Sequence, residues 1–525
     1  MSCGFPIDKN HINAKQKRSW FVPRVGLRTL LIGIAVACAW LGWMSHRNRQ
    51  VKLEQAVIDR IESYTSNLSY QYAHRPSEYY DRKNRRPGPQ WLTRMFDEYP
   101  FVDLVDLTIE VGGERVEHLD DVGELTQLKE LEIGFGGEIP TLEPLRDLTK
   151  LENLDIQCAY LIKSLEPLEN CVRLTRLSLS DAKELHDIEV VRQFSNLESI
   201  TLHNTAATDL APLGTLKELT HVNVKGVVRS IAGLENATEI EKLSIQSPML
   251  QDFQPLSGLK KVRRLTLGCD DLDSLKVISQ MKDLEFCQIE SKKLRTLAGI
   301  EGLSKLKELR LHNCESLENV QAIQGLNLEE LAICNYPPVQ KFPPILPLKD
   351  LSGIEDLALL EKLNLSNNSI EDFVGLKNLP LLKELTAKHC TELRSLKGVT
   401  GLLDLRRLEL DQCFSLPSLT GLAGLNQLDI LDCYKCTSLT DISELQHLPM
   451  IRRVNFYQSA NVVGGPFLLK MKPTAFVKLP ETTDRKSSAV FPLDPFLNFE
   501  GTKTSGELID QLRGKYPDFP VEGPR

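Results

Sequence analysis

A six-residue frame, L-x-x-L-x-L, returns at a near-constant interval along most of this 525-residue chain. Its first position falls on Leu104, Leu128, Leu151, Leu174, Leu197, Leu219, Ile240, Val262, Leu284, Leu306, Leu328, Leu360, Leu382, Leu405, Leu428 and Ile451. Successive frames lie 21 to 24 residues apart, except for one interval of 32 between Leu328 and Leu360. A period this short and this sustained belongs to stacked units rather than to separate globular cores. The array covers 104–461 and holds about 16 units.

One unit shows the physics. In Leu306-Lys307-Glu308-Leu309-Arg310-Leu311, the Leu309/Leu311 pair has period 2, so it predicts a short strand with one buried face. After His312-Asn313-Cys314 come Leu317, Val320, Ile323 and Leu326, a spacing of three that suits a 3₁₀ segment on the convex side. A single unit cannot bury its apolar stripe. Stacked units bury a continuous core and align their strands into a parallel sheet, which at ~4.8 Å per strand would run roughly 75 Å. The predicted fold class is an α/β solenoid, a horseshoe with a parallel concave sheet.

The frame resembles the leucine-rich repeat, in a 22-residue form similar to that of the bacterial internalins. Leu363-Asn364-Leu365-Ser366-Asn367-Asn368-Ser369-Ile370-Glu371-Asp372 is its cleanest instance, and the resemblance covers about 70% of the chain. It implies a curved solenoid that binds partners on its concave sheet.

Ahead of the array, Thr29 to Met44 carry no charge. Sixteen residues make ~24 Å of helix, close to what a bilayer core asks for. Trp20 and Phe21 precede the run, and Trp40 and Trp43 lie at its end, as an interfacial belt would have them. We read 29–45 as one transmembrane helix, an uncleaved signal anchor. A cleaved signal peptide stays open, because Ala37-Cys38-Ala39 imitates a small-residue cleavage site. The basic flanks speak against a buried core helix. The segment Leu27 through Trp43 also resembles the anchor that precedes many bacterial proteins of this repeat type. Six Lys/Arg lie upstream of the run and four soon after it (Arg47, Arg49, Lys52 and Arg60). By the positive-inside rule this favours a cytoplasmic N-terminus and extracytoplasmic repeats.

The remaining boundaries follow from composition. Residues 1–28 are a basic tail, 46–72 a juxtamembrane helix, 73–90 a polar linker and 91–103 an N-terminal cap. The juxtamembrane helix would use Leu53, Val57, Ile61, Tyr64 and Leu68 as one face, as a stalk or packed on the next domain. Residues 462–525 lose the frame and hold eight prolines, which suggests a C-terminal cap and tail. Within it, Thr504-Ser505-Gly506-Glu507 resembles a capping box before a short helix. Residues 1–94 hold 16 Lys+Arg against 6 Asp+Glu, a charge of +10. The net charge of −8 then leaves −18 for the rest, which argues against a nucleic-acid partner for the array.

Cysteines, histidines and the insertion are candidate sites. Cys433-Tyr434-Lys435-Cys436 is a C-x-x-C that a redox or zinc site would also use. The frame offers a simpler account: Cys433 takes an inward strand position, and Cys436 lies eight residues after the first Leu, as do Cys314, Asn368, Cys390 and Cys413. The resemblance implies that this place holds Asn or Cys as a structural ladder bonding the backbone where the strand turns. His203, His312 and His389 follow strands, and His221 falls on one, with no metal or catalytic spacing. No nucleophile elbow, phosphate loop or dinucleotide fingerprint is present. Neither catalysis nor a cofactor or metal is expected. The 32-residue interval carries Pro337, Pro338, Pro343, Pro344 and Pro347, read either as a binding loop or as a neutral bulge.

The concave face should display the frame offsets +2, +4, +6 and +7. In the C-terminal half, this stripe contains His312, Asn313, Asn335, Asn367, Lys388, His389, Asp411, Gln412, Tyr434, Lys435, Tyr457 and Gln458, the candidate partner-binding residues. Tyrosines among polar groups suit recognition of a protein or a surface polymer. Asp155, Arg176, Lys242, Arg264 and Phe286 form a rival surface in the N-terminal half. The reading is a membrane-anchored binding protein without catalysis. The alternative is a structural envelope component, or a scaffold tethered to the cytoplasmic face.

Overall fold

A computed structural model describes residues 27–62, 67–72, 104–110, 119–134, 139–335, 348–463, 496–498, 506–515 and 521–522. Among them, one 19-stranded sheet dominates. Strand β1 (Asn67–Tyr72) pairs antiparallel with β2 (Leu104–Glu110), and every later pairing is parallel. The order continues through β3 (Glu130–Ile133), β4 (Asn153–Ile156), β5 (Arg176–Ser180), β6 (Ser199–Thr205), β7 (His221–Gly226), β8 (Lys242–Gln246) and β9 (Arg264–Gly268). It then runs through β10 (Phe286–Glu290), β11 (Glu308–His312), β12 (Glu330–Cys334), β13 (Lys362–Asn364), β14 (Glu384–Thr386), β15 (Arg407–Glu409), β16 (Ile430–Asp432) and β17 (Arg453–Asn455). Each of the sixteen frames therefore holds one of the strands β2 to β17.

The register explains the frame. Leu265, Cys287, Leu309, Leu331, Leu363, Leu385, Leu408, Leu431 and Val454 stand directly opposite one another on successive strands, all at offset +3. All are at most 2% exposed, so each strand sets one file of the core. Short 3₁₀ turns such as Glu143–Leu145, Glu166–Leu168 and Ala211–Thr215 return the chain along the convex side, with Pro144, Pro167 and Pro212 in their first turn. Proline lacks an N–H that this position could not pair anyway. The core is one apolar cluster from Val57 to Leu512. Burying each Leu or Ile contributes ~1.5–3 kcal/mol, which stacking alone makes available.

At the N-terminal end, α1 (Leu27–Glu62) is one continuous helix of 36 residues, long and apolar enough in its first half to cross a membrane. Leu27 to Trp43 are exposed, so this part does not pack as a core helix among the described residues. The second half does pack: Val51, Glu54, Val57, Ile58 and Ile61 are buried, and Arg60 pairs with Asp121 (2.7 Å) and Glu124 (3.2 Å). This corrects the juxtamembrane reading in two ways. The helix ends at Glu62, and residues 67–72, expected to be helical, form β1. The packed face is 51/54/57/58/61, while Leu53 is 43% exposed. Leu68 still reaches the core, now from a strand that covers the edge of β2. An edge left open would expose unpaired backbone groups. The expected linker 73–90 and cap 91–103 lie outside the described residues.

At the other end the sheet extends beyond the frame. Strand β18 (Phe496–Asn498) pairs with β17, and β19 (Val521–Glu522) pairs with β18, both parallel. Between them, α3 (Gly506–Lys515) buries Leu508, Ile509 and Leu512 against the core. The C-terminal region thus contributes further strands to the ladder, although the frame is lost there. The proline-containing insertion, residues 336–347, lies outside the described residues.

Candidate functional site

The chain reverses at the end of each strand, and in the repeats from Leu360 to Leu428 two frame positions control that reversal. At offset +8, Cys314, Asn368, Cys390, Cys413 and Cys436 are all buried. Each donates to the carbonyl oxygen of the +5 residue one repeat earlier. Cys390 Sγ lies 3.2 Å from Leu365 O, Cys413 Sγ 3.1 Å from Ala387 O, and Cys436 Sγ 3.1 Å from Leu410 O. Cys314 Sγ is farther from Ile289 O, at 3.9 Å. Asn368 Nδ2 reaches Ile333 O at 2.7 Å and also Leu365 O at 2.9 Å. Burial pushes the Cys314 and Cys390 thiols up to about 12, far from a thiolate nucleophile or metal ligand. Cys433 is likewise pushed up by burial and by the neighbouring Cys436. Among the described residues, no three His, Cys, Asp or Glu side chains converge as a metal site would require.

Offset +7 is the second control. Asn313, Asn367, His389, Gln412, Lys435 and Gln458 all have φ between 50° and 61°, as do Asp181 and Asn204. This left-handed region favours residues that bond their own backbone, such as Asn and Asp. The position therefore serves the turn at the strand end before it serves any partner. Two of the candidate contact residues are not available to a partner at all. Asn335 is 4% exposed and Asn367 6%, and Asn335 Nδ2 donates to Asn368 Oδ1 at 3.0 Å. They prop the turn from inside, and they divide the expected stripe. His312 and Asn313 remain half-buried on the near side, with Asn313 Nδ2 donating to Glu290 Oε1 at 2.7 Å.

On the far side a compact polar patch forms. Lys388 Nζ sits 2.9 Å from Glu409 and 3.1 Å from Asp411. Burial pulls its ammonium down, but these carboxylates more than offset that and leave it raised. The Gln412 amide lies 3.1 Å from His389 Nε2, and burial lowers that imidazole. The Tyr434 and Tyr457 rings stack at 5.8 Å, inclined by 13°, and the Tyr434 hydroxyl donates to Gln458 Oε1 at 3.3 Å. Beside them Asp432 is pushed up to about 7 by burial and by hydrogen bonding to Asp411 and its charge. Asn455 Nδ2 donates to it at 3.0 Å. Lys435 lies half-buried at the edge of the tyrosine pair.

The N-terminal half holds a concave groove. One hollow of about 500 Å³ runs from Tyr70 past Asp106, Glu130 and Asp155 to Arg176. A second, of about 410 Å³, runs from Ser199 past His221, Lys242 and Arg264 to Phe286. They share Ser199 and Thr201 and so form one groove. Asp106 is pushed up to about 6 by burial, with Glu130 and Glu132 adding to the shift. His221 is lowered by burial, and the nearby Lys242 adds to this. Arg264 covers the Phe286 ring at 4.2 Å from its centroid, with Arg310 on the same ring at 5.7 Å.

By its repeat spacing and the sheet those repeats build, the chain is a leucine-rich-repeat solenoid with internalin-like repeats. No family model matches it. Among curated proteins it is similar to the disease resistance protein RRS1 of Arabidopsis thaliana, 28% identical over 225 residues. That match covers 41% of this chain and 16% of the plant protein. Among solved structures it is similar to a leucine-rich-repeat protein of Leptospira interrogans (17% identity, 77% of this chain and 92% of that one, TM-score 0.49). It is also similar to an internalin of Listeria monocytogenes (23% identity, 62% and 88%, TM-score 0.46).

Proposed function

We propose that this chain is a membrane-tethered binding protein without a catalytic step. Residues 29–45 would anchor it, and the concave sheet would take a protein partner. The observation that carries the reading is the patch Lys388, His389, Asp411, Gln412, Tyr434, Lys435, Tyr457 and Gln458. Its groups are already held by neighbouring strands and by one another. Pre-formed groups lose little entropy on binding, and tyrosine pairs supply contact area with few torsions to freeze. A single-pass anchor with extracytoplasmic repeats is the topology that the flanking charges support.

The test uses intact cells. A photo-crosslinking amino acid replaces Tyr434 in one variant and the convex, 62% exposed Leu403 in another. A discrete protein adduct from position 434 that disappears with Tyr457→Ala supports the reading. Equal adducts from both positions, or none from 434, overturn it. Protease added to cells with the inner membrane intact should cut the repeats. Cleavage only after lysis places them in the cytoplasm, as the scaffold alternative requires.

A further inference from the structure

Outside the tyrosine patch, the groove in the N-terminal half carries an unusual charge order. At offset +2, adjacent strands place Asp106 opposite Glu130, Arg176 opposite Ser199, Ser199 opposite His221, His221 opposite Lys242, and Lys242 opposite Arg264. The row thus begins acidic on β2 and β3 and carries cations on β5, β8 and β9, with Ser199 and His221 between them. Glu132 and Asp155 extend the acidic end at offset +4. Along the flank of the same sheet, charges are neutralised between repeats: Lys129 pairs with Glu152, Arg263 with Glu285 and Lys307 with Glu329. Inside the groove, neither Arg176 nor Lys242 has an ion-pair partner among the described residues, and both are exposed. The basic file is closed at its far end by the Arg264–Phe286–Arg310 stack.

We infer that this groove binds an extended polypeptide segment of bipolar charge, its acidic half over Arg176, Lys242 and Arg264 and its basic half over Asp106, Glu130 and Glu132. Seven strand spacings separate β2 from β9, roughly 34 Å at ~4.8 Å each, which about ten extended residues would span. Polar groups at offset +4, among them Ser178, Thr201 and Asn223, line the floor between the charges. They can pair with a peptide backbone along its length. A uniformly charged polymer such as an anionic glycan or nucleic acid matches one end and is repelled by the other, so the charge order selects a polypeptide. The inference rests on the concave sheet being a binding surface, but on residues apart from the tyrosine patch.

The experiment uses the full chain in lipid nanodiscs and three fluorescent twelve-residue probes. One carries four Glu followed by four Lys with Gly spacers, one is Glu-only and one is Lys-only; a heparin fragment is the fourth probe. The bipolar peptide is expected to bind at least tenfold more tightly than the other three at low salt. Arg176→Glu with Lys242→Glu should weaken it at least tenfold, as should Glu130→Lys with Glu132→Lys, and the latter should tighten the Glu-only peptide. Unchanged circular dichroism and melting establish that the variants fold. Binding of heparin or the Glu-only peptide as tightly as the bipolar one overturns the proposal. So does bipolar binding that survives both charge reversals. Neither result alters the crosslinking outcome at Tyr434, so failure here is distinguishable from failure of the binding reading itself.

Discussion

Asn368 carries more of its turn than the thiols at the same offset in neighbouring repeats. Its amide donates to Ile333 O and Leu365 O and accepts from Asn335 Nδ2, all in buried surroundings. Cys390 gives one weak S–H bond to Leu365 O. Asn368→Ala strands several buried polar groups at ~1–3 kcal/mol each, whereas Cys390→Ala loses one weak donor and a small volume. Hydrogen exchange at Asn335, Asn367 and Lys388 should therefore accelerate far more in Asn368→Ala than in Cys390→Ala; equal acceleration would assign the thiol the same work as the amide. Asp432 gives a second residue-level prediction. Its folded-state carboxyl is raised to about 7 by burial and Asp411, while in the unfolded chain it titrates near 4. Its contribution to stability is present below the unfolded value and is lost as pH rises through 7, at about 1.4 kcal/mol for each pH unit between the two values. Denaturant midpoints of Asp432→Asn and the parent should be close at pH 4 and diverge toward pH 8, with the variant the more stable. The residue scale is also where the sequence was least legible. Offset +7 reads as exposed by simple alternation, yet in eight repeats it is the left-handed turn. The recurrence of Asp181, Asn204, Asn313 and Asn367 there was the available signal, because those side chains tolerate positive φ.

Elements explain how the ends of an otherwise endless stack are closed. The frame made β2 to β17 legible because each strand buries the same two offsets, and the spacing of three made the convex turns legible. The caps carry no frame, so only their apolar faces could be read. Leu68 was recognisable as a core residue but not as part of a strand, since β1 exists only because β2 offers it an edge. Beyond Val462, β18 and β19 pair through two or three residues each, too few to leave a period. At the N-terminal end, closure depends on the second half of α1, where Val57, Ile58 and Ile61 join the core and Arg60 clamps the short helix α2 (Asp120–Gly123) through Asp121 and the adjoining Glu124. Ile61→Ala should cost ~2–5 kcal/mol at a fully buried position. Limited proteolysis is expected to cut near β2 and β3 in this variant long before β14 to β17. Uniform cleavage along the array would mean that α1 does not act as a cap.

The whole molecule behaves as a line of neighbours rather than as one globule. Each of the strands β2 to β18 pairs with the strand before and after it, and among the described residues the apolar cluster continues from repeat to repeat without a second layer to tie distant units together. Exposed ion pairs between repeats add little, at ~0–1 kcal/mol each. Cohesion then comes from apolar interfaces of similar kind, and a local loss should stay local. The step from β12 to β13 is the place to look for a break, because the 32-residue interval falls there and the register first shortens there, from five pairs to the three that continue through β17. Leu309→Ala on β11 removes a fully buried side chain, at ~2–5 kcal/mol. Hydrogen exchange should then quicken across β10 to β12, fade toward β8, and leave β3 to β5 and β15 to β17 at parental rates. If every strand quickened equally, the array would open as a single unit, and contacts between neighbouring repeats would not be what limits its stability.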